Sequence, residues 1–256
     1  MIVLQGLTKR FGTRIAVDNL SFAVPAGQIV GFLGPNGAGK STTLKMLTGV
    51  LEPSEGTATV GGFDLRRDVM EVKRHVGFVP ESGAVFESLT GLEYLEMVAA
   101  LYGIPARAAR ERIEQFIAFF DLGFDTLTDK LLGAYSKGMR RKVVITASLL
   151  HNPPVVLFDE PLEGLDANAQ VGFKTLIQTL ARAGKTIVYS SHILDVVERV
   201  CDRVIIINDG RLLVDGAPEA LVAEHQSGTL ERLFTQLTGG TELEQRAADF
   251  ARTFRS

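Results

Sequence analysis

Between residues 29 and 49 an apolar run, Ile29-Val30-Gly31-Phe32-Leu33, leads into Gly34-Pro35-Asn36-Gly37-Ala38-Gly39-Lys40-Ser41 and then into a stretch from Thr42 to Gly49 that reads as a helix. The order strand, glycine-rich loop, helix constrains the fold more than any other stretch, because it sets free backbone amides at a helix N-terminus. Glycines let those N–H groups turn inward with no Cβ in the way, and an anion then rests on the positive end of the helix dipole. With the spacing GxxxxGK[ST], Lys40 reaches the β- and γ-phosphates of a nucleotide as a point charge, and the Ser41 hydroxyl supplies one oxygen to an octahedral Mg²⁺. Thr42 and Thr43 add hydroxyls nearby. Two fixed glycines with Lys and Ser or Thr coincide by chance at roughly one position in 10⁴ to 10⁵. An ordinary glycine-rich turn is therefore the weaker reading.

The 256 residues, 46% hydrophobic and 22% charged, suffice for a large core in one domain with room for an inserted lobe. A formal net charge of -3 leaves no electrostatic footprint for nucleic acid or anionic lipid, so no nucleic-acid partner is expected and phosphate binding must be local. The single cysteine, Cys201, rules out an internal disulfide and fits a reducing compartment. Met1-Ile2-Val3-Leu4-Gln5 lacks the charged and apolar regions of a secretory signal. The longest charge-free run, Val143 to Phe158, is broken by His151-Asn152-Pro153-Pro154 and falls short of the ~18 apolar residues a spanning helix needs. A cytoplasmic chain is expected, with any membrane span supplied by another subunit.

Residues 2 to 7 and 16 to 24 read as β-strands, with Lys9-Arg10-Phe11-Gly12 as a loop between them. An exposed Phe11 there can stack on a purine, although a lone aromatic is more often core. Beyond the first helix, residues 57 to 60 and 76 to 79 read as strands and 65 to 74 as an amphipathic helix. Glu81 follows Pro80 at a strand end, where a carboxylate is either solvated or seated beside a bound cation.

From about Leu89 to Leu150 apolar residues recur at helical spacing: Leu92, Tyr94-Leu95, Val98, Leu101-Tyr102, then, past the break Gly103-Ile104-Pro105, Ile113, Phe116-Ile117 and Phe119-Phe120. These stripes are expected to be the core of a helical lobe. Tyr135-Ser136-Lys137-Gly138-Met139-Arg140-Arg141-Lys142 opens its last helix, with Ser136 as N-cap, Gly138 permitting close approach to the backbone, and the basic trio on a solvated face.

Val155-Val156-Leu157-Phe158 has the continuous apolar character of a parallel strand buried on both faces, and it ends in Asp159-Glu160. Asp159 suits a Mg²⁺ ligand and Glu160 the base or positioner for an attacking water. After the turn Pro161-Leu162-Glu163-Gly164-Leu165-Asp166, a helix is expected over 168 to 182 and a strand over 186 to 189, leaving His192 near its tip. Asn208-Asp209-Gly210 marks a hairpin between strands at 204 to 207 and 211 to 214. The rest reads as helical, with Gly239-Gly240 separating two short amphipathic segments.

Over essentially its whole length the chain resembles the nucleotide-binding subunit of an ATP-binding cassette (ABC) transporter. The resemblance implies an α/β fold: a P-loop NTPase core with a mixed sheet, an N-terminal antiparallel β subdomain and an inserted α-helical subdomain. It places the ATPase domain at 1–240, with the helical subdomain at about 86–150, and a short helical tail at 241–256. It makes Phe11 the adenine-stacking aromatic, residues 34 to 41 the Walker A loop, Val155 to Asp159 the Walker B strand, Glu160 the catalytic glutamate and His192 the γ-phosphate sensor. Leu165-Asp166 resembles the D-loop. It also implies ATP and Mg²⁺, a homodimer or heterodimer of cassettes in which Ser136 and Gly138 of one cap the ATP of the other, and a separate integral membrane permease holding the chain at the inner face of the membrane.

Two positions depart from the family pattern. The signature, usually LSGGQ, reads Tyr135-Ser136-Lys137-Gly138-Met139, a form similar to that of cassettes serving ABC-2 exporters, as are Leu101-Tyr102-Gly103-Ile104-Pro105 and Leu230-Glu231-Arg232-Leu233-Phe234. The family's Q-loop glutamine is Glu81. A carboxylate near nucleotide oxygens is repelled by about 3 kcal/mol per charge pair at roughly 5 to 6 Å and an effective dielectric near 20, and a Mg²⁺ between them reverses the sign. A nucleotide-gated regulatory or binding module without transport is the rival reading; it lacks the long coiled-coil insertion or basic tail that would favour it. A small-molecule kinase has no phosphoacceptor pocket that the sequence identifies.

Overall fold

In the computed structural model, which describes residues 1–239 together with 250, 252 and 254, β1 (Ile2–Phe11) and β2 (Arg14–Val24) precede β3 (Ile29–Leu33), which feeds the glycine loop and α1 (Lys40–Leu47). Next come β4 (Glu55–Val60), β5 (Phe63–Asp64), α2 (Val69–His75) and β6 (Val76–Val79). The inserted helices α3 (Gly91–Leu101), α4 (Ala106–Phe120), α5 (Phe124–Asp129) and α6 (Lys137–Leu149) separate β6 from β7 (Val155–Asp159). Then follow α7 (Ala167–Arg182), β8 (Thr186–Ser190), α8 (Leu194–Val200), β9 (Arg203–Asn208), β10 (Arg211–Gly216), α9 (Pro218–Glu224) and α10 (Leu230–Thr238). Most of the segment expected beyond Gly240 lies outside the described residues.

One sheet, ordered β2-β1-β4-β5, is antiparallel; the other, β10-β9-β3-β8-β7-β6, is parallel except for β10. This is the mixed α/β fold with an antiparallel N-terminal sheet that the sequence leads one to expect. Alternation along β7 explains its apolar run: Val155 and Leu157 enter a core shared with the N-terminal sheet, while Val156 and Phe158 enter the core beneath the helices. Phe22 meets Phe32 at 5.9 Å between the sheets, and Phe158 meets Phe173 of α7 edge-on at 4.9 Å. The helical stripes are core at Leu95, Ile113, Ile117 and Phe120, but Leu101 is 78% exposed. Thr90 opens that lobe with a capping box to Glu93.

Several boundaries differ from expectation, β2 and β4 each beginning two residues early. β1 continues to Phe11, which therefore ends a strand and does not sit on a loop. Helix α1 begins at Lys40, two residues early. The helix expected from Leu65 starts only at Val69, because the Asp64 carboxylate accepts the N–H groups of Arg66 and Arg67 at 2.8 and 3.0 Å and winds residues 64–68 into a turn.

The glycine loop is braced from behind. Gly210, in a β9–β10 turn where Asp209 and Gly210 both have positive φ, donates its N–H to Ala38 O at 3.0 Å and accepts from Asp18 N at 2.9 Å. Gly39 has φ +104°, and a Cβ there would lie 2.4 Å from the Ala16 carbonyl oxygen, whereas at Gly37, with φ +85°, the nearest atom would be the Arg14 guanidinium at 3.8 Å. Gly37→Ala is therefore expected to cost about 1–2 kcal/mol, the left-handed penalty alone, and Gly39→Ala at least about 1 kcal/mol more, for the overlap. Chemical denaturation of both variants checks this; equal costs would mean that the Ala16 contact yields freely.

Candidate active site

The tips of β3, β6 and β7 converge on a cavity of about 410 Å³. Pro35, Asn36, Gly37, Gly39, Lys40, Ser41 and Thr42 form its floor, Asp159, Glu160 and Glu81 one wall, and Phe11, Arg14 and Ala16 the far end. Strand ends in parallel sheets face ligands in this way, because the loops that leave them are free of the sheet's hydrogen bonding. Gly34 and Ala38 are buried behind the floor and shape it. Thr43, expected to add a hydroxyl, is buried and spends it on Gly39 O at 2.9 Å, as the fourth residue of a helical turn does.

Lys40 is 9% exposed, and its ammonium donates to Gly34 O at 2.5 Å and Pro35 O at 3.2 Å. Burial pulls its pKa down, while Glu160, Asp159 and Glu81 act in the opposite sense. Asp159 is 2% exposed and its Oδ1 is buried with no hydrogen-bond partner. A buried, unsatisfied carboxylate oxygen in the same cavity as the Ser41 hydroxyl fits a hard, oxygen-seeking cation such as Mg²⁺. Among the described residues no cluster of three His, Cys, Asp or Glu that could hold a metal is found.

Glu160 adopts φ +49°, a left-handed conformation that a side chain with a Cβ takes up only when its surroundings impose it. Its N–H donates to Ser190 O at 3.1 Å, so the tip of β8 holds it. Oε2 accepts from His192 Nδ1 at 2.8 Å and weakly from His192 N at 3.4 Å. Burial raises the Glu160 pKa, with His192 and then Lys40 opposing. His192 thus reaches the cavity through Glu160 without lining it.

Phe11 is 51% exposed at the open end, its ring 5.3 Å from the Lys9 ammonium. Ser136, Gly138 and Asp166 stand apart from this cavity. Ser136 Oγ caps α6 by accepting from Met139 N at 3.2 Å. A Cβ on Gly138 would lie 2.3 Å from Gly164 O, so the close approach expected at this glycine is made by the chain's own 161–166 turn. Asp166 caps α7 through Ala169 N at 2.8 Å and pairs with Lys142 at 3.2 Å.

Two residues escaped sequence reasoning. Arg14 follows Phe11 across the β1–β2 turn, and only that pairing could have revealed it. Arg141, expected on a solvated face with its neighbours, is 2% exposed and bonded to the Glu81 loop. Its place at helical spacing among Val144, Ile145 and Ser148, all buried, was the available signal.

The family model described as ABC transporter matches residues 17–163. The chain is 40% identical over 240 residues to the ABC transporter ATP-binding protein NatA of Bacillus subtilis, covering 91% of this chain and 96% of NatA. It is 36% identical over 221 residues to the Nod factor export ATP-binding protein I of Burkholderia lata, covering 86% and 72%. Among solved structures, an ATP-binding subunit of an ABC transporter superposes with a TM-score of 0.86 at 29% identity, over 93% of this chain and 99% of the other. The cassette MJ0796, in a dimeric post-hydrolysis state bound to ADP and Pi, superposes with a TM-score of 0.78 at 25% identity, over 85% and 98%. Phosphate loop, strand-tip carboxylates and whole-length likeness agree: this chain belongs to the ABC transporter family, as one of its ATP-binding, ATP-hydrolysing subunits.

Proposed function

We propose that the chain energises an exporter: two cassettes close on ATP, and hydrolysis releases them and drives a separate membrane permease. The observation that carries the reading is the meeting of Lys40, Asp159 and Glu160 in one cavity, with Glu160 locked into a left-handed turn between Ser190 and His192. Phosphates settle on the amides of the 34–41 loop and draw the Lys40 ammonium from its own carbonyls. Phe11 stacks on the adenine. Ser41 and Asp159, with Glu81 at the rim, would hold a Mg²⁺, which when bound neutralises phosphate charge. Glu160 orients a water and accepts its proton as the oxygen bonds to the γ-phosphorus and the bond to the bridging oxygen of the ADP leaving group breaks. Lys40 and His192 stabilise the charge that develops.

The distance of Ser136, Gly138 and Asp166 from this chain's own cavity supports their serving the nucleotide of a second cassette, in a homodimer or a heterodimer. The ATPase unit is then 1–240, its helical subdomain about 86–150, and 241–256 a short tail. Export is favoured by the 135–139 sequence and by likeness to a relative named for Nod factor export. Among the described residues no helix is long and apolar enough to cross a membrane, which favours a permease on a separate chain at the inner face of the cell membrane. An apolar groove of about 400 Å³ that includes Val50, Phe78, Leu101 and Tyr102 offers such a partner a face.

Mg²⁺-dependent ATP hydrolysis measured against protein concentration tests the reading. The rate per subunit is expected to rise with concentration and to vanish in Lys40→Ala and Glu160→Gln, with Glu160→Gln trapping an ATP-bound dimer. A rate per subunit independent of concentration would refute the composite site. The pH profile of kcat supplies a second check. A base works when ionised, so the raised Glu160 pKa puts the acid limb above that of an ordinary glutamate. His192→Ala removes the opposing influence and is expected to move the limb to still higher pH. An unmoved limb would separate His192 from Glu160.

A further inference from the structure

One buried cation beside the nucleotide cavity has no part in the mechanism above. Arg141 sits on the first turns of α6, 2% exposed, among apolar neighbours of the helical lobe. Its Nη1 donates to Pro80 O and its Nη2 to Glu81 O, both at 2.7 Å, so the guanidinium fork spans two successive carbonyls of the loop that leaves β6. Nη2 also lies 3.8 Å from Glu163 Oε2, whose carboxylate pairs with Lys137. Burying a guanidinium is costly unless it is hydrogen-bonded and paired, and these contacts supply that compensation.

The charges around Arg141 extend beyond its direct contacts. Burial lowers its pKa, and Glu163, Asp159, Glu81 and Glu160 all oppose that. The last three are the carboxylates of the nucleotide cavity, and the same three act on Lys40. Lys40 lines the cavity and Arg141 lies behind the Glu81 loop, so the cavity's carboxylates are under the influence of two buried cations.

We infer that Arg141 is a positioning residue for the ATP site: its fork seats the Glu81 loop through two carbonyls, and its charge offsets the Glu81 carboxylate, setting how tightly the site takes up Mg²⁺ with the nucleotide. The inference rests on the reading of this cavity as a Mg²⁺-ATP site. Geometry and charge separate cleanly in variants. Arg141→Lys keeps the charge but reaches one carbonyl, not both; Arg141→Gln loses both; Glu81→Gln removes the opposing charge.

The test uses the full chain and two readouts. The first is binding of a non-hydrolysable ATP analogue titrated with Mg²⁺, and the second is kcat and KM for ATP. Arg141→Gln is expected to lower the half-saturating Mg²⁺ by roughly three- to tenfold, and Glu81→Gln to raise it by a similar factor, as removal of charges of opposite sign requires. The double variant is expected to return to within about twofold of the parent. Arg141→Lys is expected to leave the Mg²⁺ value in place while kcat falls about tenfold at unchanged KM, because the loop loses its seat. A residue that only supported the fold would not tighten Mg²⁺ uptake when its charge is removed. If Arg141→Gln has no cooperative melting transition, Arg141→Lys carries the test through its kcat. The proposal is overturned if Arg141→Gln leaves the half-saturating Mg²⁺ unchanged or shifts it upward, or if Arg141→Lys retains the parent kcat. A parent chain that binds no ATP analogue overturns the functional reading along with it, whereas normal parent binding with unmoved variants overturns the role of Arg141 alone.

Discussion

Burial of β7 on both faces of the parallel sheet is the constraint from which the site follows. A strand with Val155, Leu157, Val156 and Phe158 committed to two cores cannot slip, because a shift of one residue would exchange the faces. Asp159 and Glu160 are therefore delivered to one place at its tip. Burying the Asp159 carboxylate costs several kcal/mol in isolation, and that cost is offset by Lys40 across the cavity. The sheet supplies position, and the charges supply a reason for an ion and a phosphate to enter.

The site's polar groups are engaged by the chain itself. Lys40 is turned onto its own loop carbonyls and Glu160 is held by His192. A phosphate that takes up the Lys40 ammonium exchanges a hydrogen bond to a neutral carbonyl for one to an anion. The left-handed Glu160 stores strain in the turn that follows β7, and the Ser190 carbonyl and the His192 ring keep it there.

Much of this was legible in the sequence. The glycine loop, the paired acids at a strand tip and the 2-residue hairpin turn at Asp209-Gly210 each carry local chemistry that reads without tertiary information. What the sequence left obscure was set by distant neighbours. Thr43 looks like a phosphate ligand until the helix turns its hydroxyl onto Gly39. Arg141 looks like one charge in a basic run until α6 packs against β6 and aims it inward. The late start of α2 depends on an Asp64 side chain that competes with helical bonding, a choice hydrophobic spacing does not register. Ser136 and Gly138 illustrate the same point from the other side: their local roles, a cap and a tight fit to Gly164, are complete within the chain, and nothing local points to a further one.

The brace behind the phosphate loop orders events during synthesis. Strand β3 emerges early but lies between β8 and β9, and the amide that fixes Ala38 belongs to Gly210. Some 170 residues separate the two partners of that bond, so it is a long-range contact that forms only once the β9–β10 hairpin has been made. The brace is complete only when β9 and β10 close over the loop that was made first.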